Sequence, residues 1–198
     1  MSHTAIADRR SRRRDQILTA AWDIAGESGL GAVSLHEVAR RVGIKQPSLY
    51  GYVSSKLDLY DAMFSQAYEQ LLARLDDTPS SGTAREQLRE VSRVVLEFVV
   101  EDPPRQQLLF TRTIPGFEPS AQSMALASRL VDRGAGLLSA LGAGTAAHLE
   151  VYTALVAGLG SQQVANDPGG DRWTRHLDAL LDLFLDHFNP RPTPEETT

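Results

Sequence analysis

Lys45, Gln46, Ser48, Tyr50 and Tyr52 fall within eight residues of one another, and their side chains suit the edges and backbone of a nucleic acid. An ammonium such as Lys45 pairs with guanine O6 and N7, and a carboxamide such as Gln46 pairs with adenine N6 and N7 in a bidentate way. Pro47 between them offers an apolar surface to a thymine methyl. Such groups read sequence only if a rigid element presents them. Pro47 suits the first turn of a helix, where its missing N–H would be unpaired anyway. Leu49 and Val53, four apart, give that helix one inward face, expected over residues 46–52, and leave the polar residues outside.

The stretch just upstream supplies the support. Ser34 and Glu37 fit a capping box, which pairs two orphan donors at a helix start. Leu35, Val38, Ala39 and Val42 then repeat at i, i+3, i+4, i+7 and make one apolar face. Gly43 stands where that helix must stop, a position that often needs a left-handed backbone. Helix, glycine turn and short helix make a helix-turn-helix, whose second helix can enter a DNA major groove.

This stretch resembles the DNA-binding domain of the tetracycline-repressor (TetR) family of bacterial transcriptional regulators. The resemblance runs from near Arg13 to about Leu59, roughly a quarter of the chain. It rests on R-x-x-I-L-x-A-A from Arg14 to Ala21, the Leu35 to Gly43 helix and turn, Q-P-S-L-Y from Gln46 to Tyr50, and S-K-x-D-L from Ser55 to Leu59. The resemblance implies that His36 can also reach a base. It implies phosphate contacts for Ser34, Ser48, Tyr50 and Lys56, and less directly for Tyr52. One departure is Gly51-Tyr52, where the family usually has a bulky or polar residue and then a His or aromatic. Glycine costs about 1 kcal/mol against alanine in a helix, so Gly51 is expected to shorten the reading helix or let it approach a base edge closely.

Charge agrees with this placement. The 198 residues carry a net −5, unpromising for a nucleic-acid partner. Residues 1–56, however, hold nine Lys or Arg against five acids, a balance of +4, leaving −9 for the remainder. The basic segment coincides with the motif. Arg9, Arg10, Arg12, Arg13 and Arg14 read as a basic arm leading into helix 1, and a phosphate or minor-groove contact, with Arg13 and Arg14 foremost, accounts for cations that a helix N-terminus disfavours. The absence of cysteine excludes disulfides and thiolate metal sites. No apolar run reaches the length of a membrane span, and no signal-peptide core stands at the N-terminus, so the expected location is cytoplasmic, with no membrane partner.

The rest of the chain reads as helix throughout. The expected fold is all-α, about nine helices. Residues 1–55 form a DNA-binding domain with its basic arm, 56–189 a helical regulatory, ligand-binding and dimerisation domain, and 190–198 a disordered tail. Residues 1–11 read as irregular. Helices are expected near 12–28, 35–42, 46–52, from Ser54 or Ser55 to 75, then 84–101, 104–112, 120–141, 145–166 and 172–188. The resemblance implies the same order. Two-fold binding of two half-sites of a palindromic operator needs a homodimer surface, and the two C-terminal helices are its candidates. One offers small residues (Ala154, Ala157, Gly158, Gly160, Ser161); the other is apolar beyond one stripe. Together with their symmetry mates they would make a four-helix bundle, also the family's arrangement. A switch further needs a small-molecule effector, for which Phe98, Phe110, Phe117, Met124, Tyr152 and Gln163 are pocket candidates and Arg112 an anion anchor. Repression relieved by that effector is what the resemblance implies; activation, or DNA binding without an effector, is the alternative. No cofactor is expected. His148-x-Glu150 is only a fragment of a metal or base site, and neither a phosphate-binding glycine loop nor a G-x-S-x-G turn occurs, so an enzyme is not expected.

Overall fold

The computed structural model describes residues 2–79, 81–111 and 113–188, with side chains from Asp8 onward. Arg112 and the expected tail lie outside the described residues. Among those residues the regular structure is entirely helical: α1 (Ser2–Ser28), α2 (Leu35–Val42), α3 (Gln46–Leu49), α4 (Lys56–Asp76), α5 (Ala84–Val100), α6 (Pro103–Phe110), α7 (Ala121–Ala140), α8 (Ala146–Asn166) and α9 (Leu177–Phe188). Short 3-10 turns at Leu30–Ala32 and Thr174–His176 precede α2 and α9.

Three boundaries differ from expectation. Helix α1 begins at Ser2 rather than near residue 12, which turns the basic arm into a helix surface. Helix α3 stops at Leu49, and the next three residues continue as tight turns, with the Tyr52 N–H donating to Leu49 O at 2.8 Å. The last helix starts at Leu177 because the preceding loop is pinned by the end of α8. There Gln163 Nε2 donates to Asp167 O and Oδ2, while its Oε1 accepts from the N–H groups of Trp173 (2.8 Å) and Thr174 (3.3 Å).

Two compact units emerge from the packing. The first comprises Met1–Gln70 and Asp102–Leu126, the second Leu71–Glu101 and Ala127–Thr198. Helix α4 contributes residues to both. In the first unit Ile17, Leu18, Ala21, Ile24 and Ala25 of α1 are buried, as are Val38, Ala39, Leu49 and Val53. Trp22 is half-buried, its indole N–H donating to Gln66 Oε1 at 2.9 Å. In the second unit α5 packs on α8 and α9. A Cβ on Gly160 would lie 3.3 Å from Val99 Cγ2 and 3.4 Å from Leu96 Cδ1, so this glycine serves close approach of α8 to α5. An ionic ladder fixes the register of α5 against α9: Arg85 bonds Asp182 (2.7 Å) and Asp186 (2.8 Å), Arg89 bonds Asp182, and Arg93 reaches Asp178 at 3.5 Å.

Candidate nucleic-acid interface

Each part of the helix-turn-helix has a visible local cause. Ser34 caps α2, its hydroxyl accepting from the Glu37 N–H at 3.2 Å. The reciprocal half of the expected capping box gives way to a stronger attraction. The Glu37 carboxylate accepts from Arg40 Nη2 at 2.6 Å and Nε at 2.8 Å, and from Arg41 Nε at 3.1 Å. Arg41 also forks onto Glu27 of α1, at 2.5 and 2.9 Å. Hydrogen bonds from Arg40 and then Arg41 hold the Glu37 carboxyl at about 2, far below the ordinary carboxylate range. The two arginines of α2 are thus tied to acids within the unit.

Gly43 takes the left-handed conformation expected of it, φ 71°, ψ 33°. The Ile44 N–H donates to Ala39 O at 3.0 Å and the Gly43 N–H to Arg40 O at 3.2 Å, the paired closure of a Schellman motif. The chain then enters α3 through extended Lys45, with Pro47 in the first turn. Leu49 (fully buried) and Val53 (2% exposed) anchor this single turn inward.

The outward groups follow from that anchoring. His36, Lys45, Pro47, Ser48, Tyr50 and Lys56 are exposed; Ser34, Gln46 and Tyr52 are half-buried. Tyr50 presents 52% of its surface, more than a packing residue would. Ser55 caps α4, accepting from the Asp58 N–H at 3.0 Å, while Asp58 Oδ2 accepts from the Ser54 N–H at 2.5 Å. Lys56 is partly engaged: its Nζ donates to Gly31 O at 3.0 Å and lies 5.5 Å from the centre of the Tyr60 ring. An ammonium has three donors, so two remain.

The basic arm separates by role. Arg13 Nη1 donates to Val42 O (3.4 Å), and Arg10, which the sequence did not single out, donates from Nη2 to Gly51 O (3.1 Å). Arg14 is exposed and makes no bond to another described residue. A helical α1 from Ser2 is the signal that would have separated them: it carries Arg10 and Arg13 on the side of buried Ile17, while Arg9 and Arg12 lie away from it.

The pocket candidates fall into different units. Phe110, Phe117 and Met124 belong to the first, Phe98, Tyr152 and Gln163 to the second. Phe117 packs at 5.9 Å from Tyr60 and 6.3 Å from Phe64, and Met124 is exposed. Tyr152 is buried, with its hydroxyl 2.8 Å from Ser92 Oγ, and burial raises its pKa. Gln163 has its amide fully engaged by the loop after α8. Two cavities have other linings. One of about 700 Å³ in the first unit is bordered by Leu30, Lys56, Leu57, Tyr60 and Ile114. One of about 300 Å³ in the second is bordered by Leu75, Glu90, Val91, Asp132, Arg133 and Leu137. His148 completes a capping box at the start of α8: its N–H donates to Thr145 Oγ1 at 3.2 Å, its Nδ1 accepts from the Thr145 N–H at 3.5 Å, and its ring packs 4.4 Å from that of Phe188. No described helix is long and apolar enough to cross a membrane.

Residues 17–63, the span from the buried half of α1 through the reading helix into α4, match the bacterial regulatory proteins of the tetR family. This segment is a tetR-family domain. It is 31% identical over 102 residues to the HTH-type transcriptional activator FasR of Mycolicibacterium smegmatis, 51% of this chain and 47% of that one. The chain spans about half the length of the curated relatives it matches. A TetR-like transcriptional regulator from Rhodococcus sp. RHA1 is 26% identical, with a TM-score of 0.60 over 90% of this chain and 97% of that one. The fold of BioQ, solved with its double-stranded DNA operator, is similar at a TM-score of 0.65 and 17% identity, over 90% of this chain and 98% of that one. FasR and the Rhodococcus protein are both transcriptional regulators.

Proposed function

We propose that this protein is a sequence-specific DNA-binding transcriptional regulator in the cytoplasm that grips a palindromic operator as a homodimer and represses until a small molecule releases it. The observation carrying the reading is the exposure of Lys45, Pro47, Ser48 and Tyr50 beside half-buried Gln46, delivered by the left-handed turn at Gly43 and pinned from behind by Leu49 and Val53. Lys45, Gln46 and Pro47, with His36, read base edges; Ser34, Ser48, Tyr50, Tyr52, Lys56 and Arg14 hold phosphates. Residues 1–55 are the DNA-binding domain and 56–189 the regulatory one.

Dimerisation through α8 and α9 is supported by what they leave exposed. Val151 shows 45% and Leu183 68% of its surface, with Ala154, Gly158 and Ala179 also open. The effector site best supported is the cavity of about 300 Å³ in the second unit, large enough for a small amphipathic molecule. Leu75 on its wall stands at the end of α4, the helix whose start carries Lys56. An effector that binds one setting of α4 better than another changes DNA affinity by that difference. The name of FasR favours activation as the second reading.

Footprinting of the purified protein on the DNA upstream of its own coding sequence, at two salt concentrations, tests the proposal. Protection of a pseudo-palindrome, lost steeply as salt rises, is expected. Absence of protection at low salt overturns it. A reporter under that DNA, with the protein deleted, separates the modes: expression rises for a repressor and falls for an activator.

A further inference from the structure

Helix α3 is one turn long, and a single turn does not hold itself together in water, because fixing it costs more entropy than its bonds return. Its orientation must be imposed from outside. Leu49 and Val53 fix its inner side. Two main-chain carbonyls mark the ends of the reading segment: Val42 O, where α2 finishes, and Gly51 O, where the chain has left α3. Both are taken by arginines of α1, far away in sequence. Arg13 donates to Val42 O at 3.4 Å and Arg10 to Gly51 O at 3.1 Å. The first also places a cation at the negative end of the α2 dipole. Arg10 and Arg13 stand three apart, so one face of α1 spans the segment from turn to exit. Their neighbours differ: Arg12 bonds Asp8 O of its own helix at 3.3 Å, and Arg14 points to solvent.

We propose that Arg10 and Arg13 are positioning residues that splint the reading helix between two carbonyls, and that Arg14, which like Arg9 is exposed and bonds no other described residue, is left to meet phosphate. The proposal rests on the DNA-binding reading for its purpose, but the splint itself can be measured without DNA.

Amide hydrogen exchange of the full chain, alone in solution, is compared for Arg10→Gln, Arg13→Gln and Arg14→Gln. Peptides covering residues 44–53 should exchange roughly threefold to tenfold faster in the first two variants, the effect of losing one solvent-screened hydrogen bond on local opening, and at the unaltered rate in the third. Unchanged exchange in both Arg10→Gln and Arg13→Gln overturns the splint. Binding to a mixed-sequence 30-base-pair duplex and to the upstream DNA is then followed against salt. Arg14→Gln should lower the logarithmic salt slope by about 0.9 for each protomer bound, the value for one phosphate contact. Arg10→Gln and Arg13→Gln should leave the slope alone and reduce the ratio of specific to mixed-sequence binding. A slope lowered by about 0.9 per protomer in Arg10→Gln makes it a phosphate contact and overturns its positioning role. A protein that binds neither duplex at any salt overturns the DNA-binding reading, while the exchange rates still decide the splint.

Discussion

Lys45 and Gln46 sit side by side but differ in what they can tell a duplex. A carboxamide donates and accepts at once, so it matches an adenine edge and mismatches the others; an ammonium only donates. Lys45 is exposed and makes no bond to another described residue, so nothing within the chain competes for it. Replacing either by alanine should lower discrimination by about 1–3 kcal/mol at one position in each half-site, which competition binding with single-base operator variants would reveal. Equal loss on specific and mixed-sequence DNA would remove Gln46 from the base readers. Gly51 makes a second case. Its φ is not positive, and an added Cβ would lie 3.5 Å from Ser48 O, an ordinary contact. Gly51→Ala should therefore stabilise the protein by about 0.4–1 kcal/mol in denaturant melts, through the unfolded chain. If the glycine serves close approach to a base, operator affinity should fall in that same variant. At this scale residue type and spacing made the outward groups legible, from Lys45 to Tyr50. Partners distant in sequence were not. Gln163 looks like a pocket amide until the loop it pins is seen, and Arg10 looks like an arm residue until Gly51 O is found beside it.

The turn at Gly43 and the salt-linked cluster on α2 set how the two short helices meet. Gly43 is left-handed, and a side chain there costs about 1–2 kcal/mol even though space for a Cβ is open. Gly43→Ala should lose about that much stability in urea melts and weaken DNA binding further, because the turn aims α3. Glu37 supplies a pH signature. Its carboxyl, held at about 2 by Arg40 and Arg41, sits below its ordinary 4.5. A lowered carboxyl pKa contributes stability above the ordinary value and loses it as pH falls toward the folded one. The melting-temperature gap between the natural protein and Glu37→Gln should be constant above pH 4.5 and close between about 4.5 and 2. A gap that does not change with pH would mean the cluster is decoration on an exposed face. Helix positions were readable because glycine, proline and caps punctuate the sequence strongly. The expected capping box was half right, since S-x-x-E records the spacing but not that Arg40 and Arg41, three and four residues on, offer Glu37 a full positive charge.

For the molecule as a whole, the all-helical architecture follows from helical periodicity, whereas the packing division does not fall where sequence placed a domain boundary, because α4 and α7 each run through both units. Function at this scale depends on how many copies act together. A four-residue reading helix covers few base pairs, so a lone protomer cannot select one site in a genome. Helix α8 is apolar on more than its buried side, and Val151, Ala154 and Gly158 remain open on it. On α9, Leu177, Leu181, Phe184 and Leu185 face the core while Leu183 stands 68% exposed. The aspartates of α9 are engaged by Arg85, Arg89 and Arg93, so the ladder holds one side of α9 to α5. That leaves the Leu183 side open for the proposed second copy. Leu183→Glu places a charge where the proposed partner helix would lie, and two-fold symmetry places two such charges close together. The variant should keep its helical content and melting temperature within the range of surface changes, sediment as a monomer, and bind the full operator at least about tenfold more weakly, because the half-sites are no longer linked. A variant that stays dimeric moves the interface away from this face. One that is monomeric yet binds the operator at full strength shows that dimer formation on DNA, rather than in solution, supplies the second half-site.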